Sequence, residues 1–283
     1  MNSLNAEYSP HLPTVLVLSG HDPTGGAGLV ADAESVAACG GWAMTIPTAL
    51  TVQDLRDVHS LHPLPASGIR EAAKALASLP IAAIKIGLIA DLEGLDAVVD
   101  VIKRRPGIPV VADPVLRAGG GASLATQELI DAYRQQLLPM IDILTPNRGE
   151  LARLAGADYQ DDTERCVSLM HQGCQAVLVT GTDDPEPGKA RDTVSHTLHT
   201  PDSDRQWTWP RLPASYHGSG CTLASALAAR LAAGETLVQA CEQAQVFAWQ
   251  ALAHGWDPGH GQSLPRRLWK MPTPRFSPDE VKV

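Results

Sequence analysis

Short apolar runs rich in β-branched residues recur along the chain, at Thr14 to Leu18, Ala43 to Ala49, Ala82 to Ile86, Pro109 to Ala112, Ile141 to Leu144 and Ala176 to Val179. Each is shorter than an ordinary helix and ends where the composition turns polar, so each reads as a strand buried on both faces. Between them, Leu29 to Ala38, Ile69 to Leu79, Leu95 to Lys103, Thr126 to Leu138 and Cys166 to Gln172 carry apolar residues at helical spacing. Alternation of buried strand and helix predicts a three-layer α/β/α sandwich with a mostly parallel central sheet, wound repeatedly as a single domain over residues 1–283. Beyond Thr180 the texture changes. Asp183 to Asp192 is dense in Pro, Gly and charge and reads as a loop, and Thr193 to Trp209 alternates like an antiparallel edge hairpin. Thr222 to Ala233 and Leu237 to Ala253 are Ala-rich helices parted by Gly234. Residues 1–12 and 258–283 read as irregular extensions.

Composition narrows the class. A chain of 283 residues, 44% hydrophobic, builds its core without staples. Its net charge of −9 and lack of a basic stripe exclude a nucleic-acid partner, so any anion it handles must be met locally, by helix ends and a metal. Five cysteines form no C-x-x-C pair, which suits a reducing compartment. The longest apolar run, near Leu79 to Ala90, is broken by Lys85 and is far short of the ~20 residues that cross a bilayer. Met1 to Pro13 has no basic region followed by an apolar one, so no secretory signal is expected and the location expected is cytoplasmic.

Two glycine-rich loops stand out. The first, Ser19 to Gly28, follows a strand and precedes a helix, and Gly26 to Ala31 fits the G-x-G-x-x-[G/A] dinucleotide fingerprint. Ser19 to Gly25 separate that match from the strand, and the next strand ends without the expected acidic residue until Asp54, so a ligand-free turn outweighs the dinucleotide reading. The second loop, His217-Gly218-Ser219-Gly220-Cys221-Thr222, opens a helix. Its glycines let several N–H groups converge at the positive helix end, which makes an anion hole, and the same dipole would favour the thiolate of Cys221 as a base. The bland alternative is a glycine-started helix with Cys221 as a small core residue.

Polar residues also appear where two other strands end. Asn147 and Glu150, in Thr145-Pro146-Asn147-Arg148-Gly149-Glu150, suit water-mediated Mg²⁺, and equally a helix capping box. Asp113, in Ala112-Asp113-Pro114-Val115, faces a metal-bound phosphate or caps a turn. No Walker A motif and no protein-kinase signature is present.

Taken in order, Ser19 to Asp32, Thr48 to Gln53, Lys85 to Gly87, Asp113 to Val115, Thr145 to Glu150 and His217 to Thr222 resemble the hydroxymethylpyrimidine/phosphomethylpyrimidine kinases of thiamine biosynthesis, members of the ribokinase-like superfamily. The resemblance implies ATP- and Mg²⁺-dependent phosphorylation of 4-amino-5-hydroxymethyl-2-methylpyrimidine and then of its monophosphate. It assigns Gly20, Asp32, Gln53 and Val115 to the aminopyrimidine, Asp113, Asn147 and Thr180 to the nucleotide, Glu150 to the metal, and Gly218, Ser219, Gly220 and Cys221 to catalysis. The carboxamide of Gln53 offers the acceptor and donor that complement an aminopyrimidine edge. Relatives of this kind are usually dimers, so a homodimer is expected. Three positions depart from the pattern. Thr180 stands where a lysine usually contacts ATP, leaving Lys189 or Arg191 to substitute; Leu88 replaces a methionine; and His21 replaces a threonine. Alternatives left open are a pyridoxal/pyridoxine kinase and a silent pyrimidine-binding regulator.

Overall fold

The computed structural model describes residues 12–117, 124–181 and 192–272. Its strands are β1 (Thr14–His21), β2 (Trp42–Gln53), β3 (Val58–Pro63), β4 (Ala83–Ile86), β5 (Val110–Ala112), β6 (Ile143–Leu144), β7 (Val177–Thr180), β8 (Thr193–His199) and β9 (Asp204–Pro210). They form one sheet in the order β3-β2-β1-β4-β5-β6-β7-β8-β9. From β2 to β7 every pairing is parallel, and β3, β8 and β9 add antiparallel edges.

Helices α1 (Gly28–Ala38), α2 (Ala66–Ala75), α3 (Leu92–Lys103), α4 (Gln127–Ala132), α5 (Arg148–Ala155), α6 (Asp162–His171), α7 (Ser219–Ala232) and α8 (Leu237–Ala253) cover the sheet. Alternation along β1 assigns them to faces. Leu16 and Leu18 pack with Ile69, Leu95, Leu129, Leu151 and Leu169 of α2 to α6, while Val15 and Val17 pack with Val36, Leu227 and Phe247 of α1, α7 and α8. This is the expected three-layer sandwich.

The differences are local. β2 runs on to Gln53 because β3, which carries no long apolar run, pairs with residues 49–53. Helix α5 follows its capping box directly and was not among the expected helices. The single helix expected over Thr126 to Leu138 is α4, a π turn (Tyr133–Leu137) and a 3₁₀ turn (Leu138–Met140), since Pro139 has no N–H to continue an α-helix. The hairpin beyond Thr193 forms as expected, with Thr193 opposite Pro210 and His199 opposite Asp204. Most of the loop at 183–192, all of 273–283 and most of 1–12 lie outside the described residues. Among the described residues no helix is long and apolar enough to cross a membrane.

The strand order fixes where chemistry can occur. The chain winds outward from β1 to β2 and then, from β4 on, in the opposite direction, so the crevice where the order reverses lies beside the carboxyl ends of β1 and β4. Gly20, Leu88, Asp113, Asn147 and Thr180 all lie at or just beyond the carboxyl ends of their strands on that edge.

Candidate active site

The first glycine-rich loop closes on a carboxylate of its own. Asp22, 2% exposed, accepts from the Thr24 N–H and the Ala27 N–H at 2.8 Å each and from the Thr24 hydroxyl at 2.8 Å. Its Oδ2 also lies 2.8 Å from Nε2 of His217 in the second loop. Burial pushes the Asp22 carboxyl up, but bonds from His217 and the Thr24 amide outweigh it and hold the carboxyl below its usual value. Gly28 starts α1 at φ +60°, and any side chain there would meet the Gly20 carbonyl.

The second loop is left open. Gly218, at φ +75°, is backed so closely against the Gly26 carbonyl that only glycine fits. Helix α7 starts at Ser219 with no side-chain cap and no acidic residue in its first turn. Its first N–H groups have no helical acceptor, the usual state of a helix start. A Cβ on Gly220 would sit 3.3 Å from Oδ2 of Asp113, so the loop lies over that carboxylate. Asp113, 5% exposed, has its pKa raised to about 6 by burial, against the pull of Lys85 and of the Cys221 side chain beside it.

Beneath this pair lies a buried charge. Lys85, wholly buried on β4, donates to Oδ1 of Asp32 at 2.8 Å, and Ser225 of α7 donates to the same oxygen at 2.7 Å. Asp32 comes from α1, and its Oδ2 has no hydrogen-bond partner. Burial opposes the charge on Lys85, but Asp32, Cys221 and Asp113 together hold its pKa above the ordinary lysine value.

Two expectations change here. Asp32 does not line the cavity: it is wholly buried behind the wall, paired with Lys85. Cys221 is a thiol, because burial pushes its pKa to about 12 and the negative charges of Asp32 and Asp113 add to that effect, against Lys85. The helix dipole does not overcome desolvation at a residue 9% exposed.

A cleft of about 590 Å³ runs over this edge and takes in the other expected residues. Gly20, Gln53, Leu88 and Val115 form one wall, with Gly20 pressed so tightly on Leu88 that a Cβ would come within 2.9 Å of its Cδ2. Gly218, Ser219, Gly220 and Cys221 lie in the middle. Asn147, Glu150 and Thr180 line the far side. There both readings of the Asn147 segment hold, since a capping box forms (Glu150 N–H to Asn147 Oδ1 at 2.8 Å, Asn147 N–H to Glu150 Oε2 at 3.0 Å) in the wall of the cleft. Thr180 is buried, its N–H on the Pro146 carbonyl at 2.9 Å. His196 of β8 lines this end too; burial and nearby Arg148 lower its pKa to about 4, so the ring is neutral. Lys189 and Arg191 lie outside the described residues.

Asp22, His217 and Lys85 were given no role from sequence, nor was Arg267, whose guanidinium donates to the Thr222 hydroxyl at 2.9 Å behind the second loop. For Lys85 a signal exists, a lone charge inside a strand of fully buried residues. Arg267 sits in the tail read as irregular, and only its apolar flanks Leu264, Pro265, Leu268 and Trp269 mark it as buried.

The family described as phosphomethylpyrimidine kinase matches residues 22–266. Identity is 32% with the hydroxymethylpyrimidine/phosphomethylpyrimidine kinase of Haemophilus influenzae, over 90% of this chain and 96% of that one. It is 31% with a probable thiamine biosynthetic bifunctional enzyme, chloroplastic, of Oryza sativa, over 94% of this chain, which spans about half of that longer relative (49%). The crystal structure of phosphomethylpyrimidine kinase from Clostridium difficile 630 superposes with a TM-score of 0.73 at 26% identity, covering 86% of this chain and all (100%) of that one. Pyridoxal kinase from Staphylococcus aureus in complex with pyridoxal gives 0.80 at 24% identity over 92% and 95% of the two chains, a likeness of fold.

Proposed function

The chain belongs to the phosphomethylpyrimidine kinase family, and from that premise we propose that it phosphorylates 4-amino-5-hydroxymethyl-2-methylpyrimidine with ATP and then its monophosphate to the diphosphate, in thiamine biosynthesis. One observation carries the reading: the uncapped start of α7 sits over Asp113, between the Gln53 wall and the Asn147 to Thr180 wall of a single cleft.

Roles follow from position. Gln53 pairs with the amino group and adjacent ring nitrogen of the substrate, and Gly20, Leu88 and Val115 exclude water from the ring faces. The amides of Ser219, Gly220 and Cys221 stabilise charge on the phosphoryl group as it leaves ATP. As the hydroxymethyl oxygen forms its bond to phosphorus and the bond from phosphorus to ADP breaks, its proton passes to Sγ of Cys221 while the thiol proton passes to Asp113, and Lys85 stabilises the negative charge of the pair; the monophosphate attacks as an oxyanion and needs no such transfer. A lone Cys221 at a pKa of about 12 could not wait as a thiolate, whereas Asp113 at about 6 accepts a proton near neutral pH.

ATP occupies the far end, with Asn147, Thr180 and His196 around it. Among the described residues no cluster of three or more His, Cys, Asp or Glu could cage a metal. Glu150, in the wall of the cleft, suits Mg²⁺, which is carried on phosphates and keeps several waters; it would hold the ion through water, and the ion would neutralise the β- and γ-phosphate charge. The working form is a homodimer in the cytoplasm. Gel filtration at the mass of one 30.0 kDa chain would contradict the dimer.

The test is ADP release coupled to a dehydrogenase, with the pyrimidine, its monophosphate and pyridoxal as separate substrates. Turnover on both pyrimidines is expected, with kcat/KM above that for pyridoxal, and Cys221→Ala should lower kcat about 100-fold. No ADP from either pyrimidine, or a Cys221→Ala enzyme equal to wild type, sinks the reading.

A further inference from the structure

The carboxyl-terminal segment is tied to both glycine-rich loops. Tyr216 bridges Ser263 in parallel, the His217 N–H donates to the Ser263 carbonyl at 3.0 Å, and the Ser263 N–H donates to the Ser215 carbonyl at 2.9 Å. That pairing delivers Arg267, 3% exposed, behind the loops. Its Nε donates to the Thr222 hydroxyl at 2.9 Å. Its Nη1 reaches the Gly25 carbonyl at 3.4 Å and Oε2 of Glu34 at 3.2 Å, and its Nη2 donates to the Gly26 carbonyl. Thr222 passes the link on, since its hydroxyl donates to the Gly218 carbonyl at 2.8 Å.

Peptide planarity gives these bonds a consequence for the cleft. In a trans peptide the N–H points opposite to the carbonyl it follows. Holding the Gly26 carbonyl therefore aims the Ala27 N–H at Asp22, and holding the Gly218 carbonyl aims the Ser219 N–H the other way, out of the helix start. Arg267 does not line the cleft and touches no ligand position. Its planar fork reaches four separate acceptors, one more than the three donors of a lysine ammonium could meet.

We propose that Arg267 is a positioning residue for phosphoryl transfer, holding the first loop shut on Asp22 and the second loop open to the transferred phosphate. This rests on the kinase reading above. The test compares Arg267→Gln, Arg267→Lys and Thr222→Val in the full chain, by kcat and KM and, independently of turnover, by calorimetric titration with pyrophosphate.

Because the amides act on charge that develops in the transition state, Arg267→Gln should lower kcat by roughly 10- to 100-fold with KM for the pyrimidine within about twofold, and weaken pyrophosphate about tenfold. Arg267→Lys keeps the charge without the fork and should recover part of both. An Arg267→Gln enzyme with a lower melting temperature but wild-type kcat and pyrophosphate affinity overturns the proposal. If that variant does not fold, Thr222→Val decides in the same way, because it removes the hydroxyl that joins Arg267 to Gly218 and leaves only the backbone N–H of residue 222 on that carbonyl; unchanged kcat and affinity reject the idea. Wild type without ADP release, whose pyrophosphate affinity still depends on Arg267, would sink the kinase reading and overturn the role in phosphoryl transfer, upholding only the part in which Arg267 holds the second loop open to an anion. Wild type that binds no pyrophosphate rejects the open loop and the proposal with it.

Discussion

Gly25 to Gly28 and Gly218 to Gly220 have the same texture in sequence, each a glycine-rich turn before an Ala-rich helix, yet the structure uses them oppositely. At the first, the Thr24 and Ala27 amides close on Asp22, a carboxylate the loop itself supplies. At the second, no side chain caps α7 and its first turn carries no acidic residue. A helix start that holds its own carboxylate repels phosphate; one without it attracts phosphate. What separates a structural glycine loop from a ligand loop is thus the presence of a nearby anion, four or five residues before the match, rather than the glycine spacing.

The two loops are joined below by the Lys85 pair, and that joint should give the largest effect when broken. Asp32 of α1 receives both Lys85 of β4 and Ser225 of α7, so one oxygen links the helices that follow the two loops. Lys85→Met leaves that carboxylate buried and uncompensated, at a cost of about 3–5 kcal/mol. Urea denaturation would read the loss. A loss under about 1 kcal/mol would show that the pair does not join the loops energetically.

Asp22→Asn should come next, at about 2 kcal/mol. The amide keeps the shape, but its NH₂ must face one of the donors that the carboxylate satisfied, and the charge opposite His217 is gone. The pH dependence has a definite sign. The folded pKa of Asp22 lies below its ordinary value, so its contribution is fully present above the usual carboxylate range and is lost as pH falls through the folded value. Wild type should therefore lose stability on acidification more steeply than Asp22→Asn. Parallel curves would show that the first loop does not depend on its anion.

The layered fold was readable from residues 14–18 or 43–49 because full burial leaves an unbroken apolar record. Strand β3 left none: it is an edge, with a mixed sequence, and only its pairing to residues 49–53 defines it. Of the expected site residues, Gly20, Gln53, Asn147 and Cys221 line one cleft, each at a strand's carboxyl end or a helix start that the local sequence marks. Asp32 was read as their companion, and a residue's number in a motif carries no information on whether it faces the cleft or the core beneath it. Lys85 and Arg267 act through buried polar bonds, from 53 and 45 residues away in the chain, and no local pattern encodes such pairings.

The smallest predicted effect sharpens the contrast most, because the two loops each hold one aspartate with opposite behaviour. Hydrogen bonds from His217 and Thr24 hold Asp22 down, whereas burial raises Asp113 to about 6 despite Lys85. An acid whose folded pKa is raised binds a proton in the native state that the unfolded chain has already released. Stability then falls as pH rises from the ordinary value of 3.8 to about 6, and the full cost persists above it. Asp113→Asn removes a charge that folding must bury, so at pH about 8 it should gain about 1 kcal/mol, or roughly 2–4 °C, and the gain should vanish near pH 4. The same variant should lose turnover, since it can no longer take the proton from Cys221, the exchange of stability for activity expected of a site residue. Melting curves across that range decide it: an Asp113→Asn enzyme less stable than wild type at pH 8 would mean that Lys85, not burial, governs the second loop's aspartate.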